Sequence, residues 1–238
     1  MHVEGVLFDL FDTLVLLETN EADYPQSLRK LHEYLDRNGV NVSYEEFKRA
    51  YFEVRDRLYS ESRQNLEEPH FNIRISQTLE KLGYSFAVSD PIIKGAATAF
   101  GNEFIHHIHL DAETKDVLQK LHGKYKIGIV SNFALPEYCW KLLEEFGLKQ
   151  FFDAVVISGE INRRKPSPEI FQKALNTLGV DASKAVFVGD MLDTDIRGSK
   201  GVGMKTILIK RRPIENTDIK PDKIITNLSE LFTLIGDC

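Results

Sequence analysis

Short runs rich in β-branched and aromatic residues recur along the chain at "GVLFDLF", "KIGIVSN", "DAVVIS", "AVFVGD" and "MKTILI". They are apolar at nearly every position rather than at alternate ones, which predicts strands buried on both faces, as in parallel sheets. Amphipathic stretches separate the last four. "LPEYCWKLLEEFGL", "SPEIFQKALNTLGV" and "DTDIRGSKGVG" each read as a helix, and Gly147 and Gly179 sit where helix stops are expected. Strand and helix in alternation imply right-handed βαβ crossovers and an α/β doubly wound parallel sheet. A weaker strand and helix, "KIITNLSELFTLI", follow the charged, proline-containing link "KRRPIENTDIKPD".

Between the first strand and "KIGIV" the pattern changes to helical periodicity. "YPQSLRKLHEYLDRNGV" ends at Gly39, and Ser43 with Glu46 makes a capping-box pattern opening "YEEFKRAYFEVRDRLYSE". "FNIRISQTLEKLGY" follows, and Asp90-Pro91 is a helix start for "IIKGAATAFGNEFIHHI". No buried strand is expected from residue 18 to residue 109. The division that follows is a core of residues 1–16 and 110–238 with an all-helical unit at 17–109, far longer than an ordinary βα loop. An insertion there overhangs the carboxyl ends of the strands, where open α/β sheets bind ligands, and that geometry suits a lid.

Composition narrows the function classes. The 238 residues carry 30 Lys plus Arg against 36 Asp plus Glu, a formal charge of −6. A mildly acidic chain without a basic block is a poor nucleic-acid or membrane-surface binder. Two cysteines, Cys139 and Cys238, make no disulfide framework. With no signal-like start and no apolar run approaching the ~20 residues of a bilayer span, a soluble cytoplasmic protein is expected.

Four predicted strands end in polar residues that can meet in one crevice: Asp9 with Asp12 and Thr13, Ser131 with Asn132, Lys165 after the third, and Asp190 with Asp193 and Asp195. Singly, such residues are ordinary helix caps or solvated charges. Jointly they are not, because carboxylates facing one crevice repel unless cations join them. A bound Mg²⁺ and a lysine would supply that charge.

In order and spacing, "FDLFDTL", "IVSN", "RKPSPEIF" and "VGDMLDTD" resemble the four motifs of the haloacid dehalogenase (HAD) superfamily of hydrolases, with a helical cap inserted after the first. The resemblance covers nearly the whole chain and implies a Rossmann-like core and a covalent aspartyl intermediate. It implies Asp9 as nucleophile, Ser131 as a hydrogen-bond donor to the transferred group, and Lys165 as the offset to charge between substrate and nucleophile. It further implies Mg²⁺ held by Asp9, Asp190 and the Phe11 backbone carbonyl, with Asp195 a further ligand or an orienting group. Asn132 is a weaker substrate-binding candidate, Asp193 a weaker site candidate or only a helix cap, and Thr13 steadies the loop. A small phosphorylated or halogenated substrate is implied, on a monomer or a homodimer.

One position departs from the pattern. Phosphatases of the superfamily carry a second Asp two positions after the nucleophile, which protonates the leaving alkoxide. Here that position is Phe11, which has no proton to give, and Asp12 lies one position further on. Three readings follow. An Mg²⁺-dependent phosphatase with weakened leaving-group protonation fits the two carboxylates of the fourth motif. A metal-independent 2-haloacid dehalogenase fits Phe11, since halide leaves without a proton, and would use a cap arginine such as Arg55, Arg57, Arg63 or Arg74. A weakly active or non-catalytic phosphate-binding protein is the third. "HHIH" (His106, His107, His109) is expected to be local packing rather than a metal cluster, and Cys139 a packing thiol.

Overall fold

The computed structural model describes residues 3–18, 25–213 and 217–236. Tyr24, at the head of the first predicted insertion helix, Cys238, and residues 214–216 of the charged link lie outside them.

Eight strands follow in chain order: β1 (Gly5–Phe8), β2 (Val15–Leu17), β3 (Ile108–Leu110), β4 (Lys126–Ser131), β5 (Ala154–Ile157), β6 (Ala185–Gly189), β7 (Lys205–Ile209) and β8 (Lys223–Ile225). Six of them form one parallel sheet in the order β5-β4-β1-β6-β7-β8. Side chains alternate across it. Val6 and Phe8 pack with Ile129 and Val188 on one face, while Leu7 packs with Val130 and Phe187 on the other. Both faces are covered, which is why these strands read as unbroken apolar runs. The chain runs outward from β1 through β4 to β5, then returns to the opposite side of β1 with β6. The strand order therefore reverses at β1, and the crevice at its carboxyl end is the expected ligand position.

The insertion consists of α1 (Pro25–Arg37), α2 (Tyr44–Asn65), α3 (Phe71–Lys81) and α4 (Pro91–Phe104). Its helix starts follow local chemistry. Ser43 accepts a hydrogen bond from the Glu46 amide at 3.3 Å, and Asp90 accepts one from the Ile92 amide at 3.0 Å, with Pro91 opening the helix. The core continues with α5 (Thr114–Leu121), α6 (Pro136–Glu145), α7 (Ser158–Ile161), α8 (Pro168–Leu178), α9 (Arg197–Gly201) and α10 (Leu231–Ile235). Gly101 of α4 faces the Tyr138 ring of α6 so closely that any Cβ would overlap it. The Tyr138 hydroxyl donates to the Thr98 carbonyl at 2.9 Å, closing the insertion onto the core.

Three features differ from the expectation. Residues 108–110 form β3, which pairs antiparallel with β2 as the stem through which the insertion leaves and returns. Three residues are too few to display a two-residue period, so the ribbon leaves no mark in the sequence. Helix α5 forms where the sequence pattern predicts no element; it is anchored by Thr114, whose hydroxyl donates to the Leu14 carbonyl at 2.7 Å. "DTDIRGSKGVG" is divided between a wide π-type turn over Leu192–Ile196 and the short α9. Among the described residues no helix is long and apolar enough to cross a membrane.

Candidate active site

The carboxyl ends of β1 and β6, which are neighbours in the sheet, set the site. Asp9 follows β1, its amide bonded to the Val188 carbonyl at 2.9 Å, and Asp190 follows β6. Asp195 folds back from the π-type turn, one of its oxygens accepting the Met191 amide at 3.0 Å. This return needs Gly189, since a Cβ there would lie 2.5 Å from Asp195 Oδ2. Lys165, on the segment before α8, reaches in from the other side. Its Nζ lies 2.6 Å from Asp9 Oδ1 and 2.7 Å from Asp195 Oδ1, with the lysine side chain 2% exposed.

Burial dominates the electrostatics. It raises the Asp9 carboxyl, Lys165 pulls it back, and Asp195 adds to the rise, leaving Asp9 at about 7. Burial and the charges of Asp9 and Asp195 lift Asp190 to about 8 against the pull of Arg212. Burial alone would lower Lys165, but Asp195 and Asp9 outweigh it and hold the ammonium above its ordinary value. Asp9, Asp190 and Asp195 each offer an oxygen within 4.8 Å of the others. Counting Asp12, four carboxylates face two cations, Lys165 and Arg212. The remaining two negative charges and the all-oxygen donor set fit one Mg²⁺.

The other predicted residues occupy distinct places. The Ser131 and Thr13 hydroxyls are both buried without a hydrogen-bond partner. The Asn132 amide is committed to the Lys165 backbone, accepting its N–H at 2.7 Å and donating to its carbonyl at 3.1 Å. The Phe11 ring stands against Phe133 with centroids 4.8 Å apart and edge-on to Phe104 at 6.4 Å. Asp12 adopts a left-handed backbone (φ 52°) and turns its carboxylate to Arg212 at 2.9 Å and to the Leu17 amide at 3.4 Å. Asp193 is exposed and paired with Arg197 at 3.1 Å.

Two arginines of the charged link join the site although no motif marks them. Arg212 bridges Asp12 and Asp190, the latter at 2.7 Å. Arg211 donates to the Asp12 and Thr13 carbonyls at 3.1 Å and to Asp111 at 2.7 Å, bracing the loop that carries Phe11. The available signal was their position just after β7, since strand carboxyl ends face the crevice. The histidines form no joint cluster: His107 approaches Glu103 at 3.7 Å and His109 approaches Glu18 at 3.5 Å. Cys139 is a buried free thiol whose pKa burial pushes well up, as suits packing.

Between insertion and core lies a cavity of about 160 Å³. Tyr59, Glu68, Phe71, Arg74 and Phe100 line it from the insertion side, Asn132, Phe133 and Arg164 from the core. Asn132 thus belongs to both the cavity and the Lys165 cluster. Phe133, whose ring lies tilted against that of Phe11, is part of the cavity wall. The insertion is held over this space by the Phe71 amide, which donates to the Ala134 carbonyl at 2.9 Å, and by the Arg164 amide, which donates to the Leu66 carbonyl at 2.9 Å.

Comparison with known proteins agrees with this architecture. A family model described as haloacid dehalogenase-like hydrolase matches residues 6–209. A glyceraldehyde 3-phosphate phosphatase from Methanopyrus kandleri is 31% identical over 253 aligned positions, spanning 99% of this chain and 98% of the relative. Among solved structures, a 2-haloacid dehalogenase from Pseudomonas syringae pv. Tomato superposes with a TM-score of 0.73 at 27% identity, over 98% of each chain. A HAD phosphatase from Thermococcus onnurineus gives 0.59 at 25% identity, again over 98% of each. With the family model matching from the first strand of the core through β7, this chain belongs to the haloacid dehalogenase-like hydrolases.

Proposed function

We propose that the protein is an Mg²⁺-dependent phosphatase acting on a small phosphate ester through a phosphorylated Asp9. The observation that carries this reading is the buried set Asp9, Asp190 and Asp195 around Lys165, whose charge is completed by a divalent cation. A haloacid carries one carboxylate charge and no phosphate dianion for that cation to neutralise. We take residues 17–109 as the cap and 1–16 with 110–238 as the core. Glyceraldehyde 3-phosphate, the substrate in the name of the Methanopyrus relative, is of a size that suits the cavity between them. The reducing cytoplasm suits the free buried Cys139.

The Asp9 carboxylate attacks phosphorus, forming an O–P bond while the bond to the leaving oxygen breaks and the electron pair departs with that oxygen. Water then attacks phosphorus of the acyl phosphate and gives up a proton to solvent, while the P–O bond to Asp9 breaks, releasing inorganic phosphate and restoring the Asp9 carboxylate. Lys165 favours the ionised form of Asp9 and offsets charge on the transferred group. Ser131, with its unpartnered buried hydroxyl, donates to a phosphoryl oxygen. Asp9, Asp190 and the Phe11 carbonyl would hold Mg²⁺, which when bound neutralises the phosphoryl oxygens. Both Asp195 oxygens already have partners, Lys165 and the Met191 amide, so we assign it to orienting Lys165. Asn132 is likewise a positioning residue, through the Lys165 backbone.

Phe11 leaves the departing alkoxide to take its proton from water, and Asp12, tied to Arg212, does not stand in for the missing acid. General acid catalysis is worth roughly 10²–10⁴-fold, so alkyl phosphates turn over more slowly than aryl phosphates, which need no such help. The test is phosphate release from p-nitrophenyl phosphate with and without Mg²⁺, against chloride release from 2-chloropropionate without metal, with Asp9→Asn as control. Phosphate release needing both Mg²⁺ and Asp9 is expected. Metal-independent chloride release that needs Asp9 would overturn the assignment.

A further inference from the structure

The cavity contains a charge that the protein leaves unmatched. Arg74 of α3 is 8% exposed, and among the described residues no carboxylate oxygen comes within 4.0 Å of its guanidinium. Its surroundings are aromatic: the guanidinium carbon lies 5.0 Å from the Tyr59 ring centroid, 5.2 Å from Phe71 and 5.8 Å from Tyr51. Nη1 donates to the Tyr51 hydroxyl at 3.2 Å, while Nε is buried with no partner. Ring faces and a phenol stabilise a cation only partly, and a buried charge without a counter-ion is expensive to maintain.

The other charged groups of the cavity do not supply that counter-ion. Glu68 is bonded to Arg164 at 3.5 Å and to the Ser158 hydroxyl at 3.4 Å; it feels the charge of Arg74 through space but makes no ion pair with it. Two arginines and one glutamate therefore leave the cavity with one net positive charge. Its remaining walls, Phe71, Phe100, Phe104 and Phe133, are apolar, and Asn132 connects it to the Lys165 cluster.

Resting on the phosphatase reading above, we propose that this cavity receives the leaving-group end of the substrate and that Arg74 binds a carboxylate there. The substrate class is then the phosphate monoesters of small hydroxycarboxylic acids. A carboxylate matches one unit of charge and accepts from the edge of a guanidinium. A second phosphate dianion would overfill that charge, and a neutral aldehyde or hydroxyl would leave Arg74 unanswered. The phenyl walls fit the short carbon chain between the two acidic groups. Arg74 is on this account a specificity residue that touches substrate.

Three esters of one carbon skeleton test this: 3-phosphoglycerate, glyceraldehyde 3-phosphate and glycerol 3-phosphate, compared by kcat/KM with Mg²⁺ present. The wild-type enzyme is expected to prefer 3-phosphoglycerate over glycerol 3-phosphate by roughly 10- to 100-fold, the range of one hydrogen bond to a charged group. Arg74→Gln collapses that ratio toward one, with the change in KM, and Arg74→Lys retains part of it. Equal wild-type efficiency on the three esters, or a preference for the neutral ones, overturns the proposal without any variant. A ratio unaltered in a folded Arg74→Gln protein also overturns it. If p-nitrophenyl phosphate and all three esters are inert, the phosphatase reading itself has failed, and that result is distinct from hydrolysis without carboxylate preference.

Discussion

Lys165→Met removes the one ammonium at the centre of the site while keeping most of its apolar stem. In the protein Nζ lies 2.6 Å from Asp9 and 2.7 Å from Asp195, with 2% of the lysine side chain exposed. Taking one partner out of a buried ion cluster costs about 3–5 kcal/mol, because the remaining charges keep their desolvation. In a chain of this size each kcal/mol moves Tm by about 2–4 °C, so the loss is roughly 6–20 °C. The loss also depends on pH. Asp9 stands at about 7 in the fold against an ordinary 3.8, and Lys165 is what opposes a further rise. A carboxyl raised in the fold stabilises it at low pH, and that stability is lost as pH rises through the folded value. The deficit of Lys165→Met is therefore smallest near pH 5, where Asp9 is protonated, and widest near pH 9. Thermal denaturation of both proteins in EDTA, from pH 5 to pH 9, measures it. A deficit below about 2 °C at pH 9, less than one kcal/mol, or one identical at every pH would refute the reasoning.

Other outcomes follow from the same geometry. The metal-free wild type loses stability as pH rises from about 4 to about 8, because Asp9 and Asp190 are raised from 3.8 to about 7 and about 8. Mg²⁺ then raises Tm more at pH 8 than at pH 5, and a Tm in EDTA that is flat or climbs over that window contradicts both shifts. Gly189→Ala drives a Cβ against Asp195 Oδ2. We expect about 1–3 kcal/mol of destabilisation together with reduced kcat; wild-type values of both would show that Asp195 has room to move. Phe11→Asp supplies a carboxyl where the leaving oxygen departs. It should raise alkyl over aryl phosphate turnover at least tenfold, while losing about 1–3 kcal/mol through the lost Phe133 and Phe104 contacts. An unchanged alkyl-to-aryl ratio would remove leaving-group protonation as the limiting step.

The strands of the sheet are legible in the chain because each must be apolar on both faces, as Val6, Leu7 and Phe8 are. The insertion helices are legible through their caps, Ser43 and Asp90, which act within three residues. The polar strand ends could be listed as site candidates because sheet topology alone sends them to one edge. What escapes the sequence is set by contacts that no local pattern encodes. The β2–β3 ribbon joins residues about ninety apart through three residues each, too short for periodicity. Phe11 shows that a proton donor is missing, but its contact with the Phe133 ring depends on how β1 and β4 lie together. Arg74 stood among four cap arginines with equal claim, and burial among Tyr51, Tyr59 and Phe71 is what separates it from them.

The arginine brace bears on how the protein is made. Arg211 and Arg212 reach Asp12 across sequence separations of 199 and 200, and Lys165 reaches Asp9 across 156. Asp9 is therefore translated well before the lysine that pairs with it, and Asp12 well before the arginines that brace its loop. Each of these contacts closes a long loop and carries the entropy cost of that closure. A fragment ending before residue 211 contains every motif of the family, yet its first loop stands unbraced and its carboxylates undercompensated. Possession of the motifs and possession of a working site are, for this chain, separated by its final strand crossings.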